Sequence, residues 1–97
     1  MGHDAPFYSV TQRMLDEVRR LAAQGRVRIT HHVSVERAYR YGHNVRHLHH
    51  ALREARSIRA SQPDQASDWV VTGPDLDGDD LDLAVVVEAD IVVVTVF

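Results

Sequence analysis

The amino-acid sequence predicts an α+β fold, with three helices packed on an antiparallel β-meander sheet in a single domain over residues 1–97. Three observations lead to this prediction. A chain of 97 residues suits one domain with one hydrophobic core. Apolar residues recur at helical spacing up to Ala55 and in strand-like runs after Asp68. Asp77-Gly78 is a strong signal for a tight hairpin turn between two of those strands.

The first predicted helix has clear start and stop signals. Ser9 and Gln12 have the spacing of a capping box, and Gly25 is a natural C-terminal stop. The apolar positions between them lie on one helical face: Val10, Met14, Val18, Leu21 and Ala22. Arg26–Thr30 then alternates between charged or polar and apolar residues, which predicts a strand.

Two further helices are predicted before the meander. The second covers His32–Tyr41 and is closed by Gly42. The third is capped by Asn44, and its apolar positions recur at helical spacing: Val45, Leu48, Ala51, Leu52 and Ala55.

Four strands complete the predicted order α-β-α-α-β-β-β-β. Their ranges are Ser57–Ser61, Asp68–Gly73, Leu81–Glu88 and Asp90–Phe97, with a loop over Gln62–Ser67 and a tight turn at Ala89. The last two strands are apolar on both faces, which is typical of strands that are covered on both sides or lie centrally in a sheet. The predicted core contains Leu48, Val85, Val87, Ile91 and Val93.

The charge of the chain is divided between its two halves. All 11 basic residues are arginines within the first 60 residues, where all seven histidines also lie, and this stretch has a net charge of +6. Residues 61–97 contain acids and no base, with a net charge of −9, so the total is −3. A basic first half can bind the phosphates of a nucleic acid. Alternatively, the two halves of one domain simply neutralise each other.

Other features limit the class of protein. Cysteine is absent, which excludes disulfides and thiolate metal sites. The first residues lack the pattern of a signal peptide, and the longest apolar run, Ile91–Phe97, is too short to span a bilayer. We therefore expect a cytoplasmic protein without a membrane partner and without a cofactor.

Two motif-bearing stretches resemble a known bacterial family. The first contains Val18, Leu21, Gly25, Val27, Arg28 and Thr30, followed by His32, Arg37 and Gly42. The second runs from Trp69 through Gly73, Asp75 and Gly78 to Val92–Phe97. Together they resemble a small domain-of-unknown-function family that is grouped with the RelE/ParE-like toxins. The first stretch is also similar to the motility quorum-sensing regulator toxins, which are RNA interferases.

The resemblance implies a RelE-like fold and an endoribonuclease of a toxin–antitoxin system, with RNA and a cognate antitoxin protein as partners. The chain departs from the family pattern at Tyr41, where the family tends to have arginine, and in a His32-to-Arg37 spacing that is one residue longer. The toxins place RNA-cleaving lysines, arginines and tyrosines on the sheet, whereas residues 61–97 contain none of these types. The alternative function is a non-catalytic protein- or RNA-binding module.

One cluster has the residue types that metal-independent RNA cleavage needs. Such cleavage requires a base, an acid and a cation that holds the charge of the phosphorane. Catalytic candidates are His32, favoured as the acid–base residue, together with His31, Arg37 and Tyr41. Arg37 and Arg40 share a helix face and are predicted to bind RNA phosphate. The alternative is that a histidine caps the helix and the arginines are solvated or paired with acids.

Three other features permit a functional interpretation that the sequence does not favour. His43, His47, His50 and Glu54 can present imidazoles and a carboxylate for zinc or nickel, but a solvated polar face is expected. The acidic stretch Asp75–Asp82 lacks the full spacing of a calcium loop and is expected to be a hairpin tip. Trp69 can stack on a base, but a tryptophan in the core is expected. No metal site is therefore predicted.

Overall fold

Two helices and one five-stranded mixed sheet make up the part of the chain that the computed structural model describes, residues 9–31, 33 and 45–97. The helices are α1 (Val10–Ala23) and α2 (Val45–Arg53). The strands are β1 (Val27–Ile29), β2 (Ser57–Ala60), β3 (Trp69–Pro74), β4 (Asp80–Val87) and β5 (Ile91–Val96). Each strand lies within about one residue of its predicted range.

Helix α1 begins and ends where the sequence predicts. The Ser9 hydroxyl accepts a hydrogen bond from the backbone N–H of Gln12 at 3.1 Å. The Gln12 side chain donates to Asp16 at 3.2 Å rather than back to Ser9, so only half of the predicted capping box forms. Gly25 has φ +74°, the left-handed conformation that stops a helix without steric cost.

The prediction of an antiparallel meander sheet is wrong at one strand pair. The strand order is β1-β5-β4-β3-β2, and β1 pairs with β5 in parallel, with Val27 opposite Ile91. The remaining neighbours are antiparallel. A parallel pair cannot be joined by a hairpin, so the chain crosses from one edge of the sheet to the other before the meander returns it to β1. Helix α2 lies in that crossover.

The predicted count of three helices is also corrected, because the described residues contain two. Helices α1 and α2 correspond to the first and third predicted helices. The second, His32–Tyr41, lies almost wholly outside the described residues, although Val33 and the preceding His31 are helical. The class remains α+β. Neither described helix is long and apolar enough to cross a membrane.

The core lies between the two helices and one face of the sheet. Its members include Val18 and Leu21 of α1, Leu52 of α2, and Leu83 of β4. Among the predicted core residues, Leu48, Val85, Ile91 and Val93 are buried, whereas Val87 is only partly buried at the edge of the core. Helix α2 packs so closely on β3 that a Cβ atom at Gly73 would overlap the backbone carbonyl of Ala51.

The opposite face of the sheet carries a second set of apolar side chains. Val70 and Ala84 are buried there, and Val86, Val92 and Val94 are half-buried; none of the five belongs to the core against the helices. These five residues define the open face. Strands β4 and β5 occupy central positions in the sheet, which confirms the prediction from their apolar pattern.

Candidate nucleic-acid interface

The predicted catalytic cluster lies largely outside the described residues. His32, Arg37, Arg40 and Tyr41 all fall in the parts of the chain that the structure leaves undescribed. His31 is described; it is exposed and helical, and it follows β1 after one intervening residue. The predicted strand-to-helix junction is therefore present at His31, and the roles of the other four residues stay predictions.

Thr30 has the capping role at this junction. Its Oγ1 atom accepts a hydrogen bond from the backbone N–H of Val33 at 3.3 Å, which is the contact of an N-cap. Val33 is also buried, so it is held both by this hydrogen bond and by apolar packing. The sequence left open a histidine as the cap, and the observed contact gives that role to threonine.

Ion pairs between the two halves of the chain engage three arginines near the sheet edges, whereas Arg28 on the edge strand β1 is exposed and forms none with any described residue. Arg26 contacts Asp90 at 3.0 Å, joining the start of β1 to the turn before β5. On the other side of the sheet, Arg56 contacts Asp80 at 2.6 Å, and Arg59 lies 3.9 Å from Asp82. These contacts support the interpretation that the two halves partly neutralise each other.

Helix α1 neutralises its own basic residues. Arg20 forms a pair with Glu17 at 2.6 Å, and the hydrogen bond from Arg20 lowers the pKa of the Glu17 carboxyl. Arg19 lies 3.6 Å from Asp16 and also donates to the Ala55 carbonyl at 2.8 Å, which ties α1 to the end of α2. The exposed surface of α1 therefore has little net positive charge.

The outward surface of α2 is basic. Arg46, His49 and Arg53 are three and four residues apart and so lie on one face of the helix, away from the buried Leu48 and Leu52. Both arginines are exposed, and their separation of seven positions corresponds to about 10.5 Å along the helix axis. We call these three residues the α2 stripe. Its spacing is visible in the sequence, where Arg46, His49 and Arg53 recur at helical intervals.

His49 is set apart from the other two residues of the α2 stripe by its surroundings. Burial lowers the pKa of the His49 imidazole, and the positive charge of Arg53 lowers it further. At neutral pH the stripe therefore owes its positive charge to Arg46 and Arg53.

Stability is expected to fall in mild acid partly because of His49. Below its ordinary pKa of about 6.5 the imidazole takes up a proton in the unfolded chain more readily than in the folded one. The free energy of unfolding should therefore decrease as the pH falls from 6.5 towards the lowered pKa. Replacement of His49 by glutamine should make this decrease shallower, measured as the urea midpoint at neutral and mildly acidic pH. An identical pH dependence in the variant would contradict this assignment.

The histidines considered as metal ligands instead connect α2 to the β3–β4 hairpin. His50 Nδ1 lies 3.0 Å from the Pro74 carbonyl, to which it donates. His47 Nδ1 accepts a hydrogen bond from the backbone N–H of Leu76 at 3.2 Å. The two imidazoles are thus oriented by hairpin backbone, one as a donor and one as an acceptor. His43, the remaining histidine of the candidate set, lies outside the described residues.

A cluster of three possible metal ligands forms where α2 meets the hairpin. One ligand atom from each of His47, Asp75 and Asp77 lies within 4.8 Å of the others. The sequence did not predict this cluster, because spacing within a helix or within a hairpin does not show which helix residue contacts which hairpin residue. His47 already accepts a hydrogen bond through Nδ1, which places the neutral ring's proton on Nε2 and leaves no lone pair for an ion. The cluster therefore serves better as a structural contact than as a metal site.

Three acids of the hairpin form protein contacts through their side chains: Asp75, Asp80 and Asp82. Asp75 is 1% exposed, and its Oδ1 accepts hydrogen bonds from the backbone N–H groups of Asp77 at 2.8 Å and Asp79 at 2.9 Å. Asp80 and Asp82 contact the arginines of β2 and its preceding residue. The prediction of a hairpin tip in place of a calcium loop agrees with these contacts.

Trp69 lies on β3 and is partly buried against the core, as expected for a structural tryptophan rather than a base-stacking one. Among the described residues, the α2 stripe is a surface on which two exposed arginines share one helix face. Comparison with protein-family models, with curated proteins and with solved structures finds no match to this chain.

Proposed function

We propose that this chain is a non-catalytic RNA-binding module that contacts phosphates through the α2 stripe. The observation that carries the proposal is the exposure of Arg46 and Arg53 on one face of α2. A guanidinium group presents several N–H donors in a plane, which suits bidentate contact with a phosphate. Two such groups about 10.5 Å apart on a rigid helix can contact two phosphates of one strand.

The distribution of the other charges supports the same surface. Arg26, Arg56 and Arg59 are paired with aspartates at the edges of the sheet. The five residues that define the open face are four valines and one alanine, none of which supplies an acid–base group or a cation for cleavage. Binding without cleavage fits this arrangement, and the resemblance of the first motif-bearing stretch, from Val18 to Gly42, to RNA interferases favours RNA as the nucleic acid.

The double variant Arg46→Gln/Arg53→Gln is expected to weaken binding of a labelled single-stranded RNA at least about tenfold at low salt. Each lost phosphate contact should also reduce the slope of log affinity against log salt by about 0.7 for a single strand. Fluorescence anisotropy over a range of salt concentrations measures both quantities. Glutamine keeps a polar, helix-compatible side chain and removes the positive charge.

The matched control is Arg20→Gln, which removes an exposed arginine that is paired with Glu17 on α1. We expect this variant to bind RNA nearly as the wild type does. Equal losses in the control and in the double variant would show that only overall charge matters. Unchanged binding by the double variant would exclude the α2 stripe as the RNA surface.

A second candidate function is the endoribonuclease that the resemblance implies. The observation in its favour is that His31 is exposed and helical directly beyond β1, where the predicted cluster of His32, Arg37 and Tyr41 begins. The same RNA distinguishes the two functions. A binding module leaves the labelled RNA intact in the presence of a chelator, whereas an endoribonuclease cleaves it. If the chain is an endoribonuclease, the His32→Ala variant should cleave the RNA about two to four orders of magnitude more slowly than the wild type.

A further inference from the structure

We propose that His49 is a third phosphate contact of the α2 stripe, formed when its imidazole is protonated, so that the chain binds RNA more tightly in mild acid. This inference rests on the proposed function, in which Arg46 and Arg53 of the same stripe contact RNA. Arginine keeps its charge at every physiological pH, whereas histidine changes its charge near neutrality. The α2 stripe therefore combines two fixed charges with one that depends on pH.

His49 lies between the two arginines along α2. It follows Arg46 by three positions and precedes Arg53 by four, which correspond to about 4.5 Å and about 6 Å along the helix axis. The three positions fall within about 60° of the helix circumference. An RNA strand that contacts both guanidinium groups therefore passes beside the imidazole.

The His49 side chain stands at the border between the apolar and basic faces of α2. Its neighbours one turn away on the apolar side are Val45 and the completely buried Leu52. The imidazole is half-buried, and it forms no hydrogen bond or ion pair with any described residue. His47 and His50 instead contact hairpin backbone. Of the three histidines in α2, His49 is thus the one with neither ring nitrogen committed to a described residue.

Among the described residues, no carboxylate stabilises the protonated form of His49 before RNA binds. Helix α2 packs on α1, β3 and β4, and β3 has no titratable side chain. On the other two elements and the hairpin, the charged groups contact one another or other parts of the chain: Arg19 with Asp16 and the Ala55 carbonyl, Arg20 with Glu17, Asp80 with Arg56, Asp82 with Arg59, and Asp75 and Asp77 beside His47. The described charge that acts on His49 is that of Arg53, which opposes protonation.

Proton uptake is therefore coupled to RNA binding. Without RNA the His49 imidazole is mainly neutral at neutral pH, because burial and the charge of Arg53 lower its pKa. A bound phosphate places a negative charge and a hydrogen-bond acceptor beside the ring, which favours the imidazolium form. The complex then holds up to one proton more than the unbound chain, so affinity increases as the pH falls, by at most about tenfold per pH unit.

The test is fluorescence anisotropy of labelled oligouridine with the purified chain at low salt, from about pH 7.5 to about pH 5.5. Uracil and phosphodiester groups do not titrate in this range, and the label must not titrate either. The gain in affinity of the wild type over this range should exceed that of His49→Gln by at least about threefold. His49→Arg, which is charged at every pH, should bind at neutral pH as tightly as the wild type does in mild acid. Circular dichroism checks that each variant is folded at each pH.

The matched control is His50→Gln, on the same helix but outside the α2 stripe. Glutamine retains an N–H donor for the Pro74 carbonyl, so this variant should keep the pH dependence of the wild type. The same pH dependence in the wild type and in folded His49→Gln would overturn the inference, as would an equal loss of pH dependence in His50→Gln.

Failure of this inference can be told apart from failure of the proposed function. If Arg46→Gln/Arg53→Gln weakens binding but His49→Gln keeps the full pH dependence, the α2 stripe binds RNA and only the role of His49 is wrong. Binding that is unchanged in the double arginine variant would overturn the proposed function and this inference together.

Discussion

Replacement of Gly73 by alanine is expected to destabilise the folded chain by about 3 kcal/mol or more. A methyl group at this position of β3 would overlap the backbone carbonyl oxygen of Ala51 in α2. Backbone atoms cannot move aside as the end of a flexible side chain can, so α2 and β3 would have to separate. That separation would loosen the packing of Leu48 and Leu52, which are almost completely buried. Urea unfolding followed by circular dichroism measures the loss.

Gly25→Ala provides the matched control for this effect. Gly25 has φ +74°, but a Cβ atom there would meet no atom within 4 Å. Its substitution therefore introduces backbone strain alone, which costs about 1–2 kcal/mol in the left-handed region. A Gly73→Ala variant that loses no more stability than Gly25→Ala would show that the close approach of α2 to β3 is not important.

Asp75→Ala is expected to cost about 3 kcal/mol, the second-largest effect. Two turn N–H groups, from Asp77 and Asp79, would lose the carboxylate oxygen that accepts their hydrogen bonds. Asp75→Asn keeps a carbonyl oxygen at the same place and should lose less. The free energy of unfolding and the amide hydrogen exchange of the hairpin measure the two variants.

The exposed Asp77 serves as the control for Asp75. Asp77→Ala removes a carboxylate from the same hairpin without removing the acceptor of the turn, and should change stability by less than about 0.5 kcal/mol.

A chelator should leave the wild-type stability unchanged. Destabilisation by the chelator to the level of Asp75→Ala would instead indicate a bound metal ion at His47, Asp75 and Asp77.

Local features of this fold were predictable because their causes are local. Ser9 caps α1 through a hydrogen bond to a residue three positions away, and Gly25 stops it through its own backbone conformation. Gly78, in the predicted hairpin turn, has φ +92°. The apolar character of β4 and β5 on both faces likewise reflected their central positions in the sheet.

The partner of β1 was not predictable in the same way. The alternation in Arg26–Thr30 indicates a strand but contains no information about which strand lies beside it. The pairing of β1 with β5 depends on where α2 and the meander bring the chain, so its parallel direction appeared only in the structure. Only His31 of the predicted catalytic cluster is described, and the remaining residues of that cluster stay untested.

At the candidate site, too, the pattern within one helix could not show which distant residues that helix contacts. Helical periodicity correctly separated the buried Leu48 and Leu52 from the polar face. It could not show that His50 and His47 contact hairpin backbone 24 and 29 residues later in the chain. With these two histidines engaged, the basic residues left on the outward side of α2 are those of the α2 stripe.

The parallel pairing of β1 with β5 has a consequence for the order of folding. Arg26 and Asp90, which are joined by an ion pair at this seam, are 64 residues apart in the chain. The three antiparallel pairs of the meander close much shorter loops and can form earlier, since loop-closure entropy and folding time both increase with sequence separation. Strand β1 therefore has no sheet partner until the meander is complete, and its docking becomes the late event that joins the two oppositely charged ends of the molecule.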